Sequence, residues 1–210
     1  MKQSKTLRRW ELALLLGVAL AALLGVWLDG AQAALSDRVI RLHVLANSDS
    51  EADQALKLRV RDRILAEAEE LFVPGAGRAE TEELLRAHLY DLAAAGAEVV
   101  GEAGYSYPVT ASLVHDYWFP PKTYTDFALP AGAYTALRIE IGAGGGQNWW
   151  CVVFPPLCLG SVSETTQETA LEAGLTENQV SLMTGEDEGY VVKFKAVELL
   201  EQFKGWLEGR

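Results

Sequence analysis

Asn47, Asp49, Glu51 and Asp53 set four oxygen-bearing side chains at alternate positions, a donor type that hard cations take. A calcium loop starting at Asn47 would need Gly at its sixth position and Glu at its twelfth, where this chain has Ala52 and Leu58. The spacing rejects calcium, and the acids are read as the charged first turn of a helix. The run Gly142-Ala143-Gly144-Gly145-Gly146 lacks the last glycine of a dinucleotide loop, because Gln147 stands there. A strand follows it where a phosphate site needs a helix, so it is read as a hairpin turn. His43, His88 and His115 have no H-E-x-x-H spacing and no neighbouring nucleophile elbow. His43 and His115 both fall near strand ends, which leaves convergence open, but solvated or internally paired histidines are the preferred reading. No catalytic residue, metal site or cofactor is assigned.

Two features point to binding. Lys57, Arg59, Arg61 and Arg63, with Arg38 and Arg41 upstream, gather six cations in 26 residues of an acidic chain. At 100° per residue Lys57 and Arg61 share one side of a helix and Arg59 and Arg63 another, flanking an apolar stripe. They are read either as a solvated face with salt bridges or as a surface for an acidic partner or anionic lipid. The second feature is Asn148-Trp149-Trp150-Cys151, continuing through Phe154-Pro155-Pro156-Leu157-Cys158. Adjacent tryptophans in a strand point to opposite faces, so one core layer cannot take both. Asn148, Trp149 and Trp150, with Lys57, Arg59, Arg61 and Arg63, are the candidate partner-binding residues. Pro155-Pro156 ends the strand and turns the chain, bringing Cys158 back toward Cys151; a disulfide and two separate buried thiols both remain open.

The elements that position these residues are legible from periodicity. Ile40, Leu42, Val44 and Ala46 alternate with Val39, Arg41, His43 and Leu45, a strand with one face buried. Ser48-Asp49-Ser50-Glu51 has the form of a capping box. Ala52, Leu56, Val60, Ile64 and Ala68 then form the stripe of a helix, and a second helix is predicted from Ala79 to about Ala97. Pro108–His115 and Ala133–Ile141 alternate as strands, and Asn148–Phe154 is apolar on both faces, as in a central strand. Residues 160–189 read as a polar surface excursion, and a last amphipathic helix as Phe194–Leu207. The order predicts an α+β fold: a single domain with an antiparallel sheet of about four strands packed with three helices.

The chain has 210 residues, 18 basic and 29 acidic, for a net charge of −11, which argues against nucleic acid as a partner. Residues 1–33 read as a signal peptide or N-terminal membrane anchor. Lys2, Lys5, Arg8 and Arg9 precede an uncharged run from Leu12 to Leu28, and Ala31-Gln32-Ala33 has the form of a signal peptidase site. Seventeen residues rise about 26 Å as a helix, the lower edge of spanning length, so a permanent anchor making membrane contact through residues 12–28 is the alternative to cleavage. Residues 34–210 are predicted to be a single extracytoplasmic domain.

The segment Ile40-Arg41-Leu42-His43-Val44-Leu45-Ala46-Asn47-Ser48-Asp49-Ser50, followed by Asp53-Gln54-Ala55-Leu56-Lys57 and Val60-Arg61-Asp62, resembles the N-terminal signature of the stage II sporulation protein R family. Pro130-Ala131-Gly132-Ala133-Tyr134 and the run from Asn148 to Cys158 resemble its second signature. The resemblance implies a non-enzymatic, forespore-secreted signal of endospore-forming bacteria. It implies as partner a membrane-embedded sporulation aspartic protease, which processes pro-sigma-E in the mother cell, and as location the space between the forespore and mother-cell membranes. The competing classes are an extracytoplasmic cell-wall hydrolase using His43, Asp49 or His115, and a wall- or membrane-surface binding module. Deleting residues 1–33 should retain the protein in the cytoplasm of the producing cell, as read by fractionation; export without them would refute the targeting assignment.

Overall fold

The computed structural model describes residues 9–73, 75–124, 127–158 and 165–184. Its centre is β1 (Ile40–Leu45), whose six residues are all buried. Alternation in the sequence predicts one buried face, and the other face is buried too because a second layer covers Arg41 and His43. Helix α2 (Glu51–Glu70) follows, capped by Ser50, whose hydroxyl accepts the Asp53 amide at 3.1 Å. The cap thus sits two residues later than the predicted box, at Ser50, and without the reciprocal bond of a box: the Ser50 amide donates to Ser48 Oγ at 3.2 Å. Leu56, Val60, Ile64 and Ala68 of the predicted stripe face the core, whereas Ala52 is exposed.

The second predicted helix is two: α3 (Arg78–Ala87) and α4 (Leu89–Glu102), broken at His88, which leaves helical geometry and turns its Nδ1 onto the Leu84 carbonyl at 2.8 Å. Strand β2 (Val109–Phe119) then pairs antiparallel with β5 (Gly132–Ile141). Between them lies a small hairpin of β3 (Lys122–Thr123) and β4 (Ala128–Leu129). Strand β6 (Asn148–Phe154) pairs antiparallel with β1.

The sheet order is β2-β5-β1-β6. The sheet is mixed, not antiparallel as predicted, because β5, antiparallel to β2, is inserted beside β1 and runs parallel to it. Nor is β6 central: it is an edge strand, apolar on both faces because both layers reach it.

Two apolar layers result. Ile40, Leu42 and Val44 meet Leu56, Val60 and Ile64 of α2, Val99 and Val100 of α4 and Leu137 and Ile139 of β5. On the other face Val39, Ala136 and Val152 meet Phe119, Leu129, Tyr134 and residues of two further helices, α5 (Thr165–Glu172) and α6 (Glu177–Thr184). The predicted polar excursion is therefore partly structural. Ala170, Leu175, Val180 and Met183 are too widely spaced among polar residues to show a stripe, yet all four are buried. Besides the N-terminal helix, the described residues hold five helices, against three predicted; the predicted helix Phe194–Leu207 lies outside them.

Helix α1 (Arg9–Ser36) runs through the predicted peptidase site, and its last turn is docked on the domain. Leu35 is buried in the second layer, Gln32 donates to the Ala131 carbonyl, and Gln179 donates to that of Ala34. Among the described residues no helix is long and apolar enough to cross a membrane, so the anchor alternative rests on the sequence.

Gly96 sets the distance between α4 and the sheet, since a Cβ there would stand 2.9 Å from Val109 Cγ1. The layer assignment has a direct test in α2. Leu56→Ala should lower unfolding stability by about 2–5 kcal/mol, whereas Ala52→Gln should stay within about 0.5 kcal/mol, both by urea titration.

Candidate partner-binding surface

The loop after β1 and the loop between β5 and β6 meet at one end of the sheet, where Leu45 pairs with Glu140 on one side and Asn148 on the other. Their chains are tied backbone to backbone: Gly145 donates to the Asn47 carbonyl at 3.2 Å and Gly146 to that of Ala46 at 2.9 Å. Side chains close the clasp. Asn47 Oδ1 accepts the Ala143 amide at 3.0 Å, and Asp49 Oδ1 accepts the Gln147 amide at 2.8 Å. Only glycine fits this approach at position 146, where a Cβ would collide with the Ser48 carbonyl. At Gly142, φ of +61° adds a second reason for glycine.

Asp53 is the hub. Its Oδ2 accepts from Ser48 Oγ at 2.5 Å and Asn47 Nδ2 at 2.9 Å, and these bonds hold its carboxyl below the usual carboxylate range. Lys57 completes the network, donating to Gln54 Oε1 at 2.6 Å and to the Gln147 carbonyl at 3.0 Å. Burial lowers the Lys57 pKa, with the Asp49 charge opposing it. The assignment of Lys57 to a partner surface is corrected: only 4% exposed, it is a structural tie between two loops. Arg41 likewise leaves the cationic patch. It is buried with no carboxylate partner among the described residues, stacked 4.2 Å over Phe119 and 5.0 Å over Tyr134 and bonded to Tyr124 Oη at 3.1 Å.

The two tryptophans separate as strand geometry requires. Trp149, opposite Val44, packs on the first layer with the Arg61 guanidinium 4.3 Å from its ring centroid. Trp150, opposite His43, packs on the second layer with its ring 6.2 Å from the imidazole. Both are half-buried, while Asn148 and Arg59 are exposed. Arg61 pairs with Asp62 at 2.5 Å and Arg63 with Glu67 at 3.0 Å. The structure thus brings Arg61 to Trp149 and leaves Trp150 on the opposite face. Cys151 and Cys158 are joined as a disulfide with Cα atoms 6.3 Å apart.

His43 and His115 do not converge. His43 Nε2 donates to Asn148 Oδ1 at 2.7 Å on the second face, while His115 sits 3.3 Å from Glu82 of α3 on the first. Asp49, the third residue of the hydrolase alternative, is engaged with the Gln147 amide. Among the described residues no group of three or more His, Cys, Asp or Glu is placed to hold a metal ion. Sequence reasoning missed the hub role of Asp53 and the Gln147 tie. The signal available was Asp53 at the third helical position after Ser50, which marks a hydrogen-bonded acid.

This is a mixed-sheet α+β domain whose two sequence signatures build a loop clasp that holds a tryptophan-bearing edge strand. Residues 36–164 match the family described as Stage II sporulation protein R (spore_II_R), so the chain belongs to that family. It is 37% identical over 124 residues to Stage II sporulation protein R of Bacillus subtilis (strain 168), a match spanning 59% of this chain and 55% of that relative. No solved structure matches it.

Burial lowers the His43 pKa, an effect only partly offset by its bond to Asn148. The unfolded chain then takes up a proton near pH 6.5 that the folded chain refuses. The His43 contribution is complete above about pH 6.5 and is lost as pH falls through the lowered folded value. Urea titrations should show stability dropping as pH falls below about 6.5, and His43→Gln should flatten that slope; an unchanged slope would place the titration elsewhere.

Proposed function

We propose that this chain is an exported signal of sporulation: made in the forespore, it passes into the space between the two compartments and activates a membrane-embedded aspartic protease of the mother cell. That protease then removes the pro-sequence of sigma-E. The observation that carries the reading is the family match over residues 36–164, which takes in both signatures. The sequence supports export through its basic start, apolar run and Ala31-Gln32-Ala33 site.

The contact would lie at the exposed side of the clasp, around Asn148 and Trp149 with Arg61 over the ring; Arg59 and Arg63 stand on another side of α2 and would be reached only by a partner that extends across the helix. Trp149 is favoured over Trp150 because only a surface guanidinium, that of Arg61, covers its ring, whereas the chain at Trp150 is held from the domain side: Tyr124 Oη donates to its carbonyl at 3.3 Å. An indole in a desolvated contact is commonly worth about 2 kcal/mol or more to binding.

Co-expressing the mature domain with the protease and its pro-sigma substrate tests this reading. Trp149→Ala should cut processing at least about tenfold while leaving the melting temperature within about 5 °C, and Trp150→Ala should lower stability and processing together. Parallel loss of both properties in both variants would make the strand purely core. Processing without the protease, or degradation of cell-wall polymer by the purified domain, would favour the hydrolase class.

A further inference from the structure

The two edges of the sheet differ. Strand β6 is buried over Cys151–Phe154, whereas β2 is half-exposed along most of its length and, among the described residues, pairs only with β5. A free edge offers a row of backbone donors and acceptors, and proteins usually blunt it with lysine, proline or a bulge. β2 contains neither lysine nor proline. Its one irregularity lies between Val114 and Tyr117, where Asp116 takes φ of +53°. Among the described residues the outer edge of the regular part, Val109–Val114, has no strand partner.

Beside that part runs an open groove of about 580 Å³ between β2 and α4. Its α4 wall is Ala93, Ala94 and Ala97, and its β2 wall is Val109, Thr110 and Ala111. Alanines at this spacing leave space that a larger residue would occupy, and Tyr90, 83% exposed, stands at the rim. Around the groove acids predominate: α4 and β2 contain no lysine or arginine and carry the exposed acids Asp91, Glu102 and Asp116, while Glu98 stands 3.9 Å from Arg63 and, beyond the regular part of β2, Arg86 of α3 stands 3.5 Å from His115.

We infer that this groove takes an extended segment of a partner protein, paired to Val109–Val114 as a fifth strand, with small apolar side chains facing α4 and lysine or arginine at its ends. Only an extended chain satisfies a free strand edge, and alternate residues of that chain then point into the groove. A second copy of this chain is disfavoured as occupant, because it would bring the same carboxylates against their counterparts. The surface lies on the β2 side of the sheet, away from Trp149 on β6, and does not rest on the signalling reading.

The test uses the purified full chain and a fluorescent seven-residue peptide with a lysine at each end and alternating valine and threonine between. Fluorescence anisotropy should show saturable binding that weakens several-fold when ionic strength rises from about 0.05 to 0.5 M. Ala94→Trp, which fills the groove from an exposed position, and Ala94→Lys, which adds a like charge to that of the peptide, should each weaken binding at least about tenfold while leaving the thermal melt unchanged. Absent binding, equal binding of the same peptide with glutamate ends, or unaltered affinity in both variants would overturn the proposal. A concentration-dependent dimer dissolved by the peptide in sedimentation would also overturn it, assigning the edge to a second copy.

Discussion

One carboxylate oxygen organises the functional end of this domain. Asp53 Oδ2 holds Ser48 and Asn47 in place, and Asn47 in turn holds the Ala143 amide of a loop almost a hundred residues away. Together with the backbone bonds of Gly145 and Gly146 these offset the cost of ordering the glycine-rich loop, since glycine loses more backbone freedom on folding than any other residue. Each hydrogen bond contributes about 1 kcal/mol net, so a set of this kind is of the right size to offset ordering a few residues. The loop leads directly into β6, so the position of Asn148, Trp149 and Trp150 depends on a helix cap across the sheet edge. The same arrangement explains why Lys57 is buried: its ammonium ties α2 to the Gln147 carbonyl and closes the clasp from the helix side.

Local pattern carried most of the elements and little of their assembly. Alternation in Ile40–Leu45 and in Ala133–Ile141 is a short-range signal and located β1 and β5. The insertion of β5 between β2 and β1 depends on which long-range pairing buries more surface, and no window of sequence encodes that. The second layer was invisible for a related reason. Arg41 and His43 look like solvent-facing positions of an alternating strand, and only the arrival of Phe119, Tyr134 and Trp150 from three other strands makes that face an interior. Among the site residues, the opposition of the two tryptophans was legible because it follows from a period of two. The withdrawal of Lys57 was not, because it depends on a carbonyl ninety residues distant.

Family membership was legible for a physical reason. Asn47, Ser48, Asp53, Gln54 and Lys57 of the first signature and the chain leading into Asn148 of the second are tied into one network, so the motif that identifies the family is largely the motif that builds the clasp. A motif of this kind is strong evidence for the fold and for the kind of surface it presents. It is weaker evidence for which exposed atoms touch a partner, because the atoms that are recognisable are those already engaged.

The charge balance narrows what such a partner can be. The sequence gathers six cations between Arg38 and Arg63, which suggests a basic face, but the structure uses most of them internally. Arg41 and Lys57 are buried, Arg61 lies over Trp149 against Asp62, and Arg63 lies between Glu67 and Glu98. Arg59 stays exposed, as does Arg38, whose guanidinium lies 3.5 Å from the Gly174 carbonyl. What remains toward solvent is the acidic surplus of a chain with net charge −11. An anionic lipid surface would repel that surplus, and encounter with a cationic protein segment would be accelerated by it. A strand edge framed by carboxylates is therefore better suited to a basic protein segment than to membrane or acid.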